Sequence, residues 1–344
     1  VYMLFLSHLA MVTTAVLVTL LALCARVRRI YLLAIGLLVS AFVYPLFGNW
    51  VWGGGWLSQL GLNLGLGHGF VDVAGCGAIY LLGALVALSV LLIVRPRRAE
   101  SSGPARLPPV HFPLLMGLGS LLAVVGWPGL VLGNVLIQGQ VVATLAVMNL
   151  MLAAAAGVLV GSLYSWFVIG QPDALMIGRS TAASLVAVSS ACAFIPVWAG
   201  LLIGAAAGLL LLTGLYIWEQ VLRLDEPSGT MAIFGLPAIW GILATGIFAD
   251  GRRGAGWNGV GVQEYSGIPG QGVSGLLLAS GYQPAGTVQL HAQLVGLGAL
   301  LVVALLVPWL VFKAITWISG IGRRTGSAGS LAIGLFQAII GSLS

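Results

Sequence analysis

Charge is what this sequence most lacks. Only 6% of its 344 residues are Asp, Glu, Lys or Arg, against about 25% in an ordinary soluble domain. Lysine is nearly missing, since all but one of the 14 basic residues are arginine. With 60% hydrophobic residues, the chain has too little polar surface to face water, so a soluble domain is excluded. The formal charge of +6 does not point to nucleic acid, because the arginines gather at the ends of apolar segments, where they set orientation in a membrane. Cysteine is scarce as well. Cys24, Cys76 and Cys192 lie inside apolar segments without CxxC spacing or a nearby histidine. They read as small core residues, with no redox or metal chemistry.

Histidine offers equally little. His8, His68, His111 and His291 share no i, i+4 spacing, and three of them lie at or near segment ends, where interfacial hydrogen bonding suits an imidazole. No metal motif, nucleophile–base arrangement or phosphate-cradling glycine loop is present. No enzyme, cofactor or metal ion is therefore expected. A cleavable signal pattern is absent, because the first apolar run is too long and ends in arginines. The first residue is Val1 rather than Met, which implies an alternative start codon or residues upstream.

What is present is a series of apolar segments of spanning length: 2–25, 30–50, 71–94, 112–135, 140–168, 174–195, 198–222, 229–249 and 288–318. Each reaches roughly 20 residues, enough to cross a bilayer as a helix. The expected fold class is therefore an all-α integral membrane protein with nine transmembrane helices. Arginine placement predicts an N-out/C-in orientation: the loops at 26–29, 95–106, 169–173 and 223–227 and the tail from 319 hold 10 of the 14 basic residues. Gly200, Gly204 and Gly208, with Gly157 and Gly161 on another segment, give the small-residue spacing that lets helices touch in lipid. The glycine-rich loop 250–287 is expected to cap a vestibule or meet a partner. The stretch from Leu331 to Leu343 is too short to span and reads as an interfacial helix.

Few ionisable residues fall within the segments. Asp72 opens the third, where a carboxylate caps a helix start or shapes a cation site. Arg179 begins the sixth and can snorkel to lipid headgroups. Glu219 lies near a helix end, and Asp225 and Glu226 precede Pro227 like helix-start residues.

Taken together, several motifs carry a resemblance. V-W-G-G-G-W-L at 51–57, then D-V-A-G-C-G-A-I-Y at 72–80, resembles the ammonium transporter (Amt/Mep/Rh) pattern W-G-G-G followed by D-F-A-G-G-x-x-V-H. L-A-L-C-A-R-V-R-R, V-G-W-P-G-L-V-L-G-N and the long stretch from Leu222 to Ala249 extend the similarity, which covers about residues 1–320. The resemblance implies a helical bundle of two inverted five-helix repeats plus a last helix, usually trimeric, with one pore per subunit. The nine segments correspond to the third through eleventh helices, and no counterpart of the first two precedes Val1. The first repeat, 1–95, is then incomplete, the second covers 111–250, the last helix is 288–318 and a short cytoplasmic tail is 321–344. A groove left by the missing helices would be filled by a homotrimer contact, lipid or other membrane subunits.

Carried over singly, Trp52 matches the outer-mouth tryptophan and Asp72 the structural aspartate, while Asn134 replaces a mouth serine. The paired pore histidines become Tyr80 and Phe234, the stacked phenylalanine gate becomes Met11 and Leu130, and an aspartate before the second histidine becomes Gly229. The tail that binds a PII-type signalling protein has no counterpart, so that partner is not expected. Two functions follow as expectations. One is a non-conducting or weakly conducting relative, serving as accessory, scaffold or sensor subunit in a bacterial plasma membrane. The other is a channel for ammonia, ammonium or another small neutral solute with an altered filter.

Overall fold

Long apolar runs with almost no internal charge leave the backbone one way to satisfy its polar groups within lipid, and that is the helix. The computed structural model describes residues 2–24, 27, 29–94, 112–134, 139, 141–222, 228–252, 256–265, 267–282 and 287–318. Among these, eight helices are long and apolar enough to cross a membrane: α1 (Tyr2–Leu23), α2 (Arg29–Trp52), α3 (Cys76–Ile93), α4 (Leu114–Gly133), α5 (Ala143–Ile169), α7 (Val197–Val221), α8 (Thr230–Phe248) and α9 (Val288–Ala314). A ninth, α6 (Ala174–Val188), is apolar but shorter. The 174–195 segment is helical only to Val188. Tight turns carry it from 189 to 194 into the protein interior, where Ser189, Ser190, Cys192 and Phe194 are buried. The expected linker 95–110 and the interfacial stretch 331–343 lie outside the described residues.

The glycine spacing does what lipid packing demands. A Cβ on Gly204 would stand 2.7 Å from the Ala153 backbone, so α7 lies directly on α5. On the other side of α5, a Cβ on Gly157 would meet the Ser180 carbonyl at 2.7 Å, which seats α6 equally close. The α6 N-terminus is capped by Asp173, whose carboxylate accepts from the Met176 amide at 3.0 Å. Large side chains at the periphery, including Phe5, Leu122, Phe167 and Leu209, are exposed, as lipid-facing residues should be. α3 is the buried helix, lying against α1, α8 and α9.

The bundle has two dissimilar ends. At one, α1 ends just before the Arg26–Arg29 cluster, and α6 and α8 begin; this is the arginine end. At the other, α2 runs into residues 53–75 and the connection between α8 and α9 folds back over them; this is the loop end. That connection is built structure, with a two-stranded hairpin pairing Glu264–Tyr265 with Ile268–Pro269. Its Trp257 is fully buried, donates to the Phe70 carbonyl at 3.1 Å, and meets Phe194 edge-on at 5.7 Å. Asn258 adopts φ 49° and donates to the Val51 carbonyl at 2.9 Å. The loop therefore locks onto the Trp52 and Asp72 region.

Candidate functional site

Asp72 lies just before α3, in an irregular strand of chain outside any helix or sheet. Such a strand must find its hydrogen bonds elsewhere, and two glutamines one turn apart on α9 supply them. Gln293 accepts from the Val71 amide at 3.0 Å and donates to its carbonyl at 2.8 Å. Gln289 does the same one step earlier, accepting from the His68 amide and donating to the Gly69 carbonyl, both at 2.9 Å. Ser190 donates to the Val71 carbonyl at 2.9 Å, and the Ser190 and Ser189 carbonyls receive the Val73 and Ala74 amides.

Held this way, the Asp72 carboxylate accepts from the Gly77 and Ala78 amides, each at 2.9 Å, at the first turn of α3. This is the helix-capping geometry expected of it, although the helix itself starts at Cys76 rather than at 71. Trp52 closes the arrangement by donating its indole N–H to the Asp72 carbonyl at 2.8 Å. Two of the three residues expected at the mouth, Trp52 and Asp72, are thus brought together. Asn134 is buried at the far end of α4.

One turn into α3 the second group begins. Gly75, at φ +77°, lets the chain turn sharply, and its carbonyl receives both the Ile79 and Tyr80 amides. This wide turn at Cys76–Leu81 carries Tyr80, and such turns recur at functional positions. Tyr80 is 1% exposed. Its ring lies nearly parallel to Trp127 (centroids 4.8 Å apart, planes 16° apart) and to Phe234 (5.7 Å and 10°). The Trp127 indole is fixed by donation to the Ser189 hydroxyl at 2.8 Å. Phe234 stands at the break in α8, where Gly235 interrupts the helix. Met11 is buried in the same apolar core as Tyr80, and Leu130 packs against that core.

The Tyr80 hydroxyl is buried and has no hydrogen-bond partner among the described residues. A hydroxyl so placed forfeits about 1–3 kcal/mol. It can donate one proton in a hydrogen bond and accept another. Among the described residues, no three His, Cys, Asp or Glu side chains converge in a way that could hold a metal ion.

The pairing of Tyr80 with Phe234 was expected from the sequence, whereas Trp127 as the third ring was not. Its motif, V-G-W-P-G, held the signal, because an indole beside a helix-interior proline needs a buried partner for its N–H. Gln289 and Gln293 also escaped notice. Two buried amides spaced i, i+4 on an otherwise apolar helix are the visible trace of such a clamp. Trp257 was hidden by the glycine-rich composition around it.

Comparison with known proteins agrees with the motifs. The profile described as Ammonium Transporter Family matches residues 1–341. The ammonium transporter Amt2 of Archaeoglobus fulgidus is 36% identical over 220 residues, covering 63% of this chain and 47% of that protein. The ammonium transporter of Bacillus subtilis is 31% identical over 248 residues, covering 72% of this chain and 57% of its own length. This chain spans about half the length of the curated relatives it matches. Among solved structures, Saccharomyces cerevisiae Mep2 superposes with a TM-score of 0.70 at 25% identity, covering 89% of this chain and 65% of that one. A structure described as a sensor Amt protein gives 0.71 at 23% identity, over 90% and 71%, and speaks for the fold. The family and these relatives are membrane transporters rather than enzymes. With this predominantly helical, membrane-spanning fold and these motifs, the chain belongs to the ammonium transporter family.

Proposed function

We propose that this chain is a non-conducting or weakly conducting member of its family, working as an accessory, scaffold or sensor subunit in a bacterial plasma membrane. The observation that carries this reading is the stack of Tyr80 with Trp127 and Phe234. An ammonium ion cannot shed its water in an apolar passage at low cost, because burying an unpaired charge is expensive. A proton acceptor that titrates near neutrality would lower that cost, and imidazole has this property. A phenol titrates near 10, and a phenyl ring does not titrate. Neither Tyr80 nor Phe234 can hand a proton along at neutral pH. Their rings also fill the space that a relay would need.

In the same reading, the two repeats are 1–95 and 111–250. Trp52, Asp72 and Asn134 form an outer vestibule above the closed centre, and Met11 and Leu130 stand where a gate would be. Further membrane subunits or identical copies complete the assembly.

One observation favours a second reading, a channel for ammonia or a similar small neutral solute. The unpartnered Tyr80 hydroxyl can donate to the lone pair of such a solute, and the curated relatives are named ammonium transporters. Proteoliposomes separate the two. Uptake of labelled methylammonium and the pH transient caused by neutral ammonia are measured at equal protein density. The first reading expects both at the level of protein-free vesicles. Saturable methylammonium uptake would overturn it, and an ammonia transient alone would favour the second.

A further inference from the structure

His68, four residues before Asp72, is fully buried, and neither of its ring nitrogens has a hydrogen-bond partner among the described residues. Its ring is covered by one piece of the connection between α8 and α9. A Cβ on Gly261 would stand 2.6 Å from Nε2, and the Tyr265 ring lies over the imidazole with centroids 4.1 Å apart and planes 33° apart. The His68 amide donates to Gln289 of α9 at 2.9 Å, so the histidine stays with the bundle if its cover moves.

The cover is the two-stranded hairpin, slung between two fixed points. On one side, Trp257 and Val260 exchange backbone hydrogen bonds at 3.0 and 2.9 Å, and Trp257 is buried against Phe194. On the other, Gln271 is buried and the Gly272 amide donates to the Gly251 carbonyl at 2.7 Å. Between these points Val262, Gln263, Glu264 and Pro269 are exposed, and the hairpin meets the bundle through Tyr265. Gly261 and Gly270, at φ +68° and +73°, stand at its two ends, where glycine lets the chain re-turn at little steric cost.

We propose that this hairpin is a strap released by acid: when His68 takes up a proton, Tyr265 lifts from it and the hairpin swings out, while Trp257 keeps the rest of the loop in place. The closed strap is weakly held from the start, because both imidazole nitrogens forgo hydrogen bonds that water would supply. A proton adds a buried charge with two N–H donors and no acceptor. Stacking on Tyr265 returns part of that cost as a cation–π contact but gives neither N–H a partner. The titratable group facing the ring from the strap is Tyr265, and Glu264 beside it is exposed. On α9 the facing residue is the neutral Gln289, while His291 is exposed. In its own segment Asp72 turns its carboxylate to the Gly77 and Ala78 amides, and the short helix Leu60–Leu64, which touches Val260, has no ionisable residue. Burial holds the covered ring's pKa down to about 4, against about 6.5 in water. Opening therefore strengthens as the pH falls through 6.5 and levels off near 4. The strap acts in this way whether or not the centre conducts.

The test is digestion of the purified full chain in detergent with a glutamate-specific protease, following cleavage after Glu264 by mass spectrometry. A paired hairpin does not fit a protease cleft, so the rate reports the opened strap. At each pH the rate is divided by that of the free peptide of residues 260–271, which removes the protease's own pH dependence. From pH 7.5 to 5.5 the normalised rate should rise about tenfold, as one proton is taken up by a group that titrates near 6.5 when open and near 4 when closed, with far-UV helicity unchanged. His68→Gln should abolish the rise. Tyr265→Ala, on the surface side of the contact, should be cut about tenfold faster than the wild type already at pH 7.5, and keeps the test alive if the His68 variant does not fold. A flat wild-type profile, a rise that survives His68→Gln or a rise matched by loss of helicity would overturn the proposal. So would a Tyr265→Ala rate equal to that of the wild type at pH 7.5.

Discussion

The loop end and the centre of this bundle have been treated in opposite ways. At the loop end, Trp52, Asp72, Ser190, Gln289 and Gln293 donate to or accept from backbone groups that no regular helix or sheet pairs. At the centre, two turns further along α3, Tyr80 is held by ring stacking and its hydroxyl has no partner among the described residues. The first region is fastened by the needs of its own backbone. An irregular strand inside a membrane bundle must have every amide and carbonyl satisfied, so its ligating residues cannot change without loss of the fold. At the centre the helix satisfies its own backbone, and the side chains are free to change with the chemistry they perform. In the proposed reading, this lets the fold keep its mouth and alter its middle.

Substitutions that strike each region should break or sharpen this contrast. The largest effect is expected for Asp72→Ala, which strands the Gly77 and Ala78 amides in the interior. A loss of about 3 kcal/mol or more follows from two orphaned donors, read as a lowered melting temperature in detergent, with Asp72→Asn losing less. A melting point unchanged in the alanine variant would remove the distinction between the regions.

Acid should act next, and on the loop end alone. His68 is fully buried against the Tyr265 ring (centroids 4.1 Å apart), and burial pushes its pKa down to about 4. The fold holds the neutral imidazole, while the unfolded chain takes up its proton near 6.5. The contribution is complete above that value and drains away as the pH falls toward 4, by at most about 3 kcal/mol. Melting temperature measured from pH 7.5 to 4 should fall across this window, and His68→Gln should flatten the curve. An equal slope in the variant would assign the effect elsewhere.

Gln293→Leu should cost about 2 kcal/mol, because the Val71 amide loses its acceptor while the carbonyl keeps Ser190. The smallest effect belongs to the centre. Tyr80→Phe removes a hydroxyl without a partner and keeps the stack, so stability should stay the same or rise by up to about 1 kcal/mol. A clear loss there would show that the hydroxyl is engaged and would favour a site for a polar solute.

Much of this was legible in the sequence, and the reasons differ by residue. Helix existence followed from long apolar runs. The Trp52–Asp72 pairing came through the motif that joins them, and Tyr80 and Phe234 through the spacing of two others. The end of α6 at Val188 was not legible, because the buried turns after it are as apolar as a helix. Trp127 and the two α9 glutamines were missed because their partners lie 62 and more than 220 positions away. Local pattern carries no trace of such distances.

The central claim is that the rings of Tyr80, Trp127 and Phe234 close the middle of the protein. Stopped-flow ammonia permeation tests it most directly, in proteoliposomes carrying either the wild type or the Tyr80→Ala/Phe234→Ala double variant at equal density. The account predicts wild-type permeability equal to that of empty vesicles and a clear rise in the double variant. Wild-type permeability already above the vesicle baseline, with no further gain on removing the rings, would contradict it.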